Sequence, residues 1–230
     1  MKFRISQPQA IHQLGSRQNQ EDTIFPVLNN ATSADRLFIL CDGMGGHESG
    51  EIASGTVCKT MSDYILSHLP QDGVLEDALF EEALDAAYAA VNAQDSTGQK
   101  KMGTTLTFLC FHKGGCTAAH IGDSRIYHLR PSTNEILYRS RDHSLIYDLF
   151  EIGELTYDEM KTAKNKNVIT RVIMANQERP SKADIVHITN IEPGDYFYMC
   201  SDGMLEQMDD DDLLEIFRSD KTDEEKRKIL

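Results

Sequence analysis

Leu37-Phe38-Ile39-Leu40-Cys41-Asp42-Gly43-Met44-Gly45-Gly46-His47-Glu48-Ser49-Gly50 decides how the rest of the chain is read. An apolar run of strand length ends in an aspartate, and four glycines follow within nine residues. A helix pattern begins at once: Ile52, Ala53, Thr56, Val57, Thr60, Met61, Tyr64 and Ile65 recur at helical spacing through Leu69, and Pro70 stops the run. A second helix fits Leu75, Leu79, Ala83, Ala86, Ala87, Ala90 and Val91. Both patterns are one-sided, so each helix is expected to cover a sheet or another helix.

On either side of this unit the period is that of strands. Phe3–Ile11, Thr23–Leu28 and Arg36–Cys41 precede or open it. Thr104–His112, Cys116–Ile121, Arg125–Arg130 and Glu135–Ser140 follow, joined by short turns such as Lys113-Gly114-Gly115. Ser144–Ala175 is mixed and more helical. Ile185–Ile191 and Asp195–Cys200 return to strand character around Pro193-Gly194, and Asp209–Arg218 and Thr222 onward are acidic helix patterns. Strands, two helices, more strands and more helices predict sheets covered by helices in one domain. The 230 residues suffice for a sizeable core without metal or disulfide staples.

Charge narrows the function classes. Lys and Arg number 23 against 37 Asp and Glu, a net charge of −14 with no basic block, so neither nucleic acid nor an anionic bilayer is the expected partner. The opening residues Met1–Gly15 carry only isolated apolar side chains, so no signal peptide is expected. The apolar run Leu37–Cys41 is far too short to span a membrane. Cys41, Cys58, Cys110, Cys116 and Cys200 form no Cys-x-x-Cys pair and read as buried reduced thiols of a cytoplasmic protein.

Three aspartates stand beside glycine at strand ends: Asp42, Asp123 in Gly122-Asp123-Ser124-Arg125, and Asp202 in Ser201-Asp202-Gly203. Gln20-Glu21-Asp22 adds two acids before another strand. A carboxylate at the mouth of a buried strand costs several kcal/mol unless a cation compensates it. No lysine is nearby in sequence, and oxygen donors suit a hard divalent ion such as Mg2+ or Mn2+. Asp-Gly is also an ordinary turn, and spacing alone does not bring these acids together. The residues themselves lead to a candidate metal site in a protein of strands and helices.

The motifs, taken in order, resemble the metal-dependent protein serine/threonine phosphatases of the type 2C family, bacterial branch. They are Gly15-Ser16-Arg17 with Gln20-Glu21-Asp22, Asp42-Gly43-Met44-Gly45-Gly46-His47, Gly103-Thr104-Thr105 and Gly122-Asp123-Ser124-Arg125. Arg141-Asp142-His143-Ser144, Gly153-Glu154-Leu155-Thr156, Asn167-Val168-Ile169-Thr170-Arg171 and Ser201-Asp202-Gly203 complete the series. The resemblance implies an α+β fold, a four-layer α-β-β-α sandwich of two antiparallel sheets flanked by helices, with a small flap subdomain over about 144–179.

It also implies roles. Asp42 would bridge two metal ions, Mn2+ or Mg2+, with the Gly43 carbonyl and Asp202 completing their shells and Asp123 helping to bind a third, weaker ion. Glu21 and Asp22 would stand behind them, fixing metal-held waters. Arg17 would grip the substrate phosphate through a bidentate guanidinium. The implied reaction is attack of a metal-bridging hydroxide on phosphoserine or phosphothreonine, without a phosphoenzyme. Met44 stands where animal members carry a histidine and cannot donate a proton; His47 is the neighbour weighed as the acid, and in the family it looks more like loop structure. Thr104 and Thr105 are expected to stabilise the strand beneath the site, and His120 and His143 to be hydrogen-bonded structural residues.

The expected partners are phosphorylated proteins, among them a serine/threonine kinase and its substrates, acted on by a monomer. In the family a further Asp-Asn turn and a closing strand follow the helices of Asp209–Leu230. The sequence stops at Leu230 in a helix pattern, so truncation and a weakened metal near Asp202 are expected. The competing readings are a weak or inactive phosphatase-like module that binds a phosphoprotein or regulatory partner, and a relative acting in a sigma-factor switch.

Overall fold

The apolar runs become the central strands of the computed structural model, which describes residues 4–15, 17–45, 48–95, 102–163, 168–205 and 207–230. β1 (Asp22–Phe25) pairs antiparallel with β2 (Leu37–Met44), placing Asp22 directly opposite Asp42. β3 (Gly103–Thr104), β4 (Leu106–His112) and β5 (Gly115–Ile121) follow helices α1 (Glu48–His68) and α2 (Asp77–Gln94). With β8 (Ile173–Met174) and β9 (Asp184–Ile188) they form a seven-stranded sheet in the order β8-β3-β2-β4-β5-β9, with β1 on β2. A second sheet has the order β10 (Tyr196–Cys200), β6 (Arg125–Arg130), β7 (Glu135–Arg139), and every pairing in both sheets is antiparallel.

Alternation along β2 sets the layers. Leu37, Ile39 and Cys41 are buried on one face, where they meet Ala53, Val57 and Met61 of α1 and Phe80, Ala83 and Leu84 of α2. The opposite face carries Phe38 into a core between the two sheets, with Leu109, Phe111, Ala118, Ile126, Phe197 and Met199. Tyr127, Leu129 and Cys200 on the far face of the second sheet pack on Leu213 and Phe217 of α6 (Asp210–Arg218). Helices, sheet, sheet and helices are thus stacked in four layers. Each fully buried aliphatic or aromatic side chain contributes about 1.5–3 kcal/mol.

The last helix, α7 (Asp223–Ile229), is tied to the second sheet by polar bonds as well. Lys226 Nζ donates to the Phe217 carbonyl at 2.9 Å and to Tyr196 Oη at 3.1 Å, while Tyr196 donates to Asp223 at 2.7 Å. Between β7 and β8 in the chain, α3 (Leu145–Glu151) and α4 (Tyr157–Thr162) form the mixed segment, and α5 (Asp202–Leu205) follows β10. Ser144 caps α3, and Thr156 with Glu159 makes a capping box on α4.

Two expectations are corrected. Phe3–Ile11 contributes no strand among residues 4–11; Pro8 offers no ladder donor, and Ile5 instead packs on the core between the sheets. Thr104–His112 is not one strand but two, split at Thr105, because β3 pairs with the Gly43–Met44 end of β2 while β4 pairs with Leu37–Leu40. The loop expected around Gly98 lies outside the described residues. All five cysteines are buried and free. Among the described residues, no helix is long and apolar enough to cross a membrane.

Candidate active site

Asp42 lies inside β2 rather than at its end, and three hydrogen bonds hold its backbone. Thr105 N–H and Thr104 Oγ1 both donate to the Asp42 carbonyl at 2.9 Å, and Asp42 N–H donates to Thr105 Oγ1 at 3.0 Å. The two threonine hydroxyls therefore brace the strand that presents the carboxylate, as their place beneath the site led us to expect. Across the ladder, Asp22 is the register partner of Asp42. Ser201 Oγ donates to Asp22 Oδ2 at 3.1 Å, which anchors β1 to the residue just before Asp202, the first residue of α5. Asp123 occupies the turn between β5 and β6. Its neighbour Gly122 has φ +112°, and a side chain there would strike Thr105.

These four acids feel one another. Burial, followed by repulsion from Asp22, Asp202 and Asp123, pushes the Asp42 carboxyl up to about 8. Burial and then the charge of Asp202 push Asp123 up to about 7. Asp22 is also raised, chiefly by burial, with hydrogen bonds from Ser201 and Asp42 acting the other way. No ion pair to Lys, Arg or His is formed by Asp22, Asp42, Asp123 or Asp202 among the described residues. Mutually repelling, largely buried carboxylates that form no ion pair among the described residues are what a hard divalent ion neutralises, so the donor set fits Mg2+ or Mn2+.

The turn after β2 is packed backbone to backbone. Gly43 N–H donates to the Glu21 carbonyl at 3.1 Å, and a Cβ on Gly43 would collide with the carbonyl oxygen of Gly50. Glu21 turns its carboxyl onto Gly50 in the first turn of α1, where the helix end favours negative charge. Arg17 is exposed and makes no ion pair among the described residues, leaving its guanidinium available to an anion. His47 lies outside the described residues. His12, which sequence reading passed over, has Nε2 3.1 Å from the Asp22 carbonyl, and its charge lowers Asp22. Nothing in its sequence neighbourhood signals this.

One further group brings three metal-ligand side chains together: donor atoms of His120, His143 and Asp184 all lie within 4.8 Å of one another. His120 Nε2 meets the Arg141 carbonyl at 2.6 Å, His143 Nε2 meets Asp184 at 3.1 Å, and Arg171 bonds Asp184 at 2.7 Å. His120 and His143 are stacked, with centroids 4.5 Å apart. Burial lowers both imidazoles from their ordinary value, favouring the neutral form. Sequence reading expected hydrogen-bonded histidines here, but no spacing rule joins residues 120, 143 and 184.

Comparison with known proteins adds a common pattern. The family model for protein phosphatase 2C matches residues 12–222. A putative protein phosphatase 2C-type of Streptococcus pyogenes is 32% identical over 215 residues, which cover 93% of this chain and 85% of that protein. The crystal structure of the Mycobacterium tuberculosis serine/threonine phosphatase PstP/Ppp aligns with a TM-score of 0.72 at 30% identity, covering 87% of this chain and 79% of that one. The catalytic domain of serine/threonine protein phosphatase PstP in complex with two manganese ions aligns with a TM-score of 0.68 at 30% identity, covering 87% and 78%.

Proposed function

The chain belongs to the protein phosphatase 2C family, and from that premise we propose that it hydrolyses phosphoserine and phosphothreonine in proteins with two divalent cations, Mn2+ or Mg2+. The observation that carries this reading is the mutual repulsion of Asp22, Asp42, Asp123 and Asp202, none of which forms an ion pair among the described residues. The PstP catalytic domain bound to two manganese ions supports the ion count.

Asp42 would be the ligand shared by the two ions, since a carboxylate offers two oxygens. The Gly43 carbonyl and Asp202 would help to hold the pair, and Asp123 would help to hold a third, weaker ion. Asp22, held by Ser201, and Glu21, held over Gly50, orient water around them. Bound there, the ions supply Lewis acidity toward the phosphate oxygens and a water readied for attack on phosphorus. Arg17 grips two phosphate oxygens and offsets charge that develops on them. Met44 cannot donate a proton, so the leaving alkoxide is protonated by water.

The whole chain, 1–230, works as a single domain with residues 144–179 as the flap beside the cleft. Its substrates are phosphorylated proteins, including a serine/threonine kinase and that kinase's targets, and it acts in the cytoplasm as a monomer. The deciding experiment is orthophosphate release from a phosphothreonine peptide. Release that requires Mn2+ and disappears in Asp42→Asn is the expected result. A folded, Mn2+-loaded chain that binds the peptide without cleaving it would replace this reading with a phosphoprotein-binding module.

A further inference from the structure

Gly122, the residue before Asp123, is gripped from both sides by one histidine. Its N–H donates to His143 Nδ1 at 3.1 Å, and the His143 N–H donates to the Gly122 carbonyl at 2.9 Å. A donor aimed at Nδ1 makes that nitrogen the bare one, so Nε2 carries the proton and donates to Asp184 Oδ2 at 3.1 Å. Arg171 binds the other Asp184 oxygen at 2.7 Å, and the Thr170 N–H donates to the His143 carbonyl at 2.8 Å. An isolated bridge between Ser144 and Ile169 runs alongside. The Asp123 turn and residues 169–171 therefore meet on a ring that is 2% exposed.

This group does not serve as an ion site in the arrangement present. Both His143 nitrogens are committed, and the guanidinium of Arg171 lies 3.3 Å from Nε2. The rings of His120 and His143 are stacked at an interplanar angle of 13°, so their in-plane lone pairs point to different places.

We propose that His143 is a positioning residue: through Nδ1 it fixes Gly122 and so aims Asp123, and through Nε2 it ties that aim to Asp184 and Arg171. The inference rests on the reading of Asp123 as a metal ligand. Partners behind a ligand commonly change metal affinity 10–100-fold, which sets the size of the effect.

The test is calorimetric titration of the metal-stripped full chain with Mn2+, together with hydrogen exchange at the Gly122 amide, which needs no ion. The Asp123-dependent binding step is identified as the one lost in Asp123→Asn. His143→Leu should weaken that step about tenfold and speed exchange at Gly122. His143→Asn, whose Oδ1 falls near the place of Nδ1, should restore most of both, whereas His143→Gln should not. Should His143→Leu fail to fold, Asp184→Ala at a half-exposed position frees Nε2 and should weaken the same step. An Asp123→Asn titration identical to wild type would refute the ligand reading and the inference with it. Loss of the step in Asp123→Asn but not in His143→Leu, or equal losses in the Leu and Asn variants, would overturn the inference alone.

Discussion

The Thr105 hydroxyl lies 3.0 Å from the Asp42 amide nitrogen and 3.0 Å from the Ser124 hydroxyl, so one side chain joins the strand that carries Asp42 to the turn that carries Asp123. Thr105 is fully buried. Replacing it with valine keeps the shape and removes the hydroxyl, leaving a buried N–H and a buried O–H without a partner. Thr105→Val should cost about 1–3 kcal/mol in urea unfolding. It should also reduce phosphopeptide turnover roughly tenfold, in line with the loss of support behind a metal ligand.

The close backbone packing after β2 gives a second outcome. A methyl at Gly43 has nowhere to go, since the Gly50 and Glu21 carbonyls close the space. At Gly50 the methyl first meets the Glu21 carboxyl, the movable end of a side chain, and only then backbone, the Gly43 carbonyl carbon at 2.9 Å. Gly43→Ala should therefore lose about 1–3 kcal/mol or more of stability, and Gly50→Ala less. Denaturation midpoints measured side by side would show this order; the reverse order would contradict the packing described.

Asp42 gives the pH dependence its sign. Its folded-state carboxyl titrates at about 8, far above the ordinary carboxylate value of about 3.9. Between those limits the folded chain holds a proton that the unfolded chain has released. Stability of the metal-free protein must then fall as pH rises from about 4 to about 8. Asp42→Asn removes both the proton and the repulsion, so in chelator it should be more stable than wild type near pH 8 while losing activity. Melting curves in chelator across that range would reveal it, and a wild type more stable than Asp42→Asn at the alkaline end would count against the clustering of the acids.

Arg17 is exposed and has no ion partner among the described residues, so removing it should spare the fold. Arg17→Ala is expected to leave the melting temperature nearly unchanged and to lower kcat/KM for a phosphothreonine peptide by about 10–100-fold, the worth of one charge-assisted bidentate contact of about 1.5–3 kcal/mol. Arg17→Lys should recover only part of this, because an ammonium lacks the planar fork.

Much of this was legible in the chain itself. Period-2 and period-3.6 patterns located β2, α1, α2, β5 and β6 within a few residues, because each buries one regular face. The break at Thr105 was not legible, since a strand divided between two partners keeps an unbroken apolar run. Asp42 and Asp202 stood out by the glycines beside them. The link from Ser201 to Asp22, and the meeting of His143 with Gly122 and Asp184, join residues 21 to 179 positions apart, and no local periodicity encodes such contacts.

The central claim is that Asp42 is shared by divalent ions. Equilibrium uptake of Mn2+ by the metal-stripped chain at neutral pH, with and without Asp42→Asn, tests it most directly. The expected result is more than one ion per wild-type chain, with proton release on binding, and loss of that pair in the variant. A folded wild-type chain that takes up no Mn2+, or an Asp42→Asn chain that takes up as much as wild type, would contradict it.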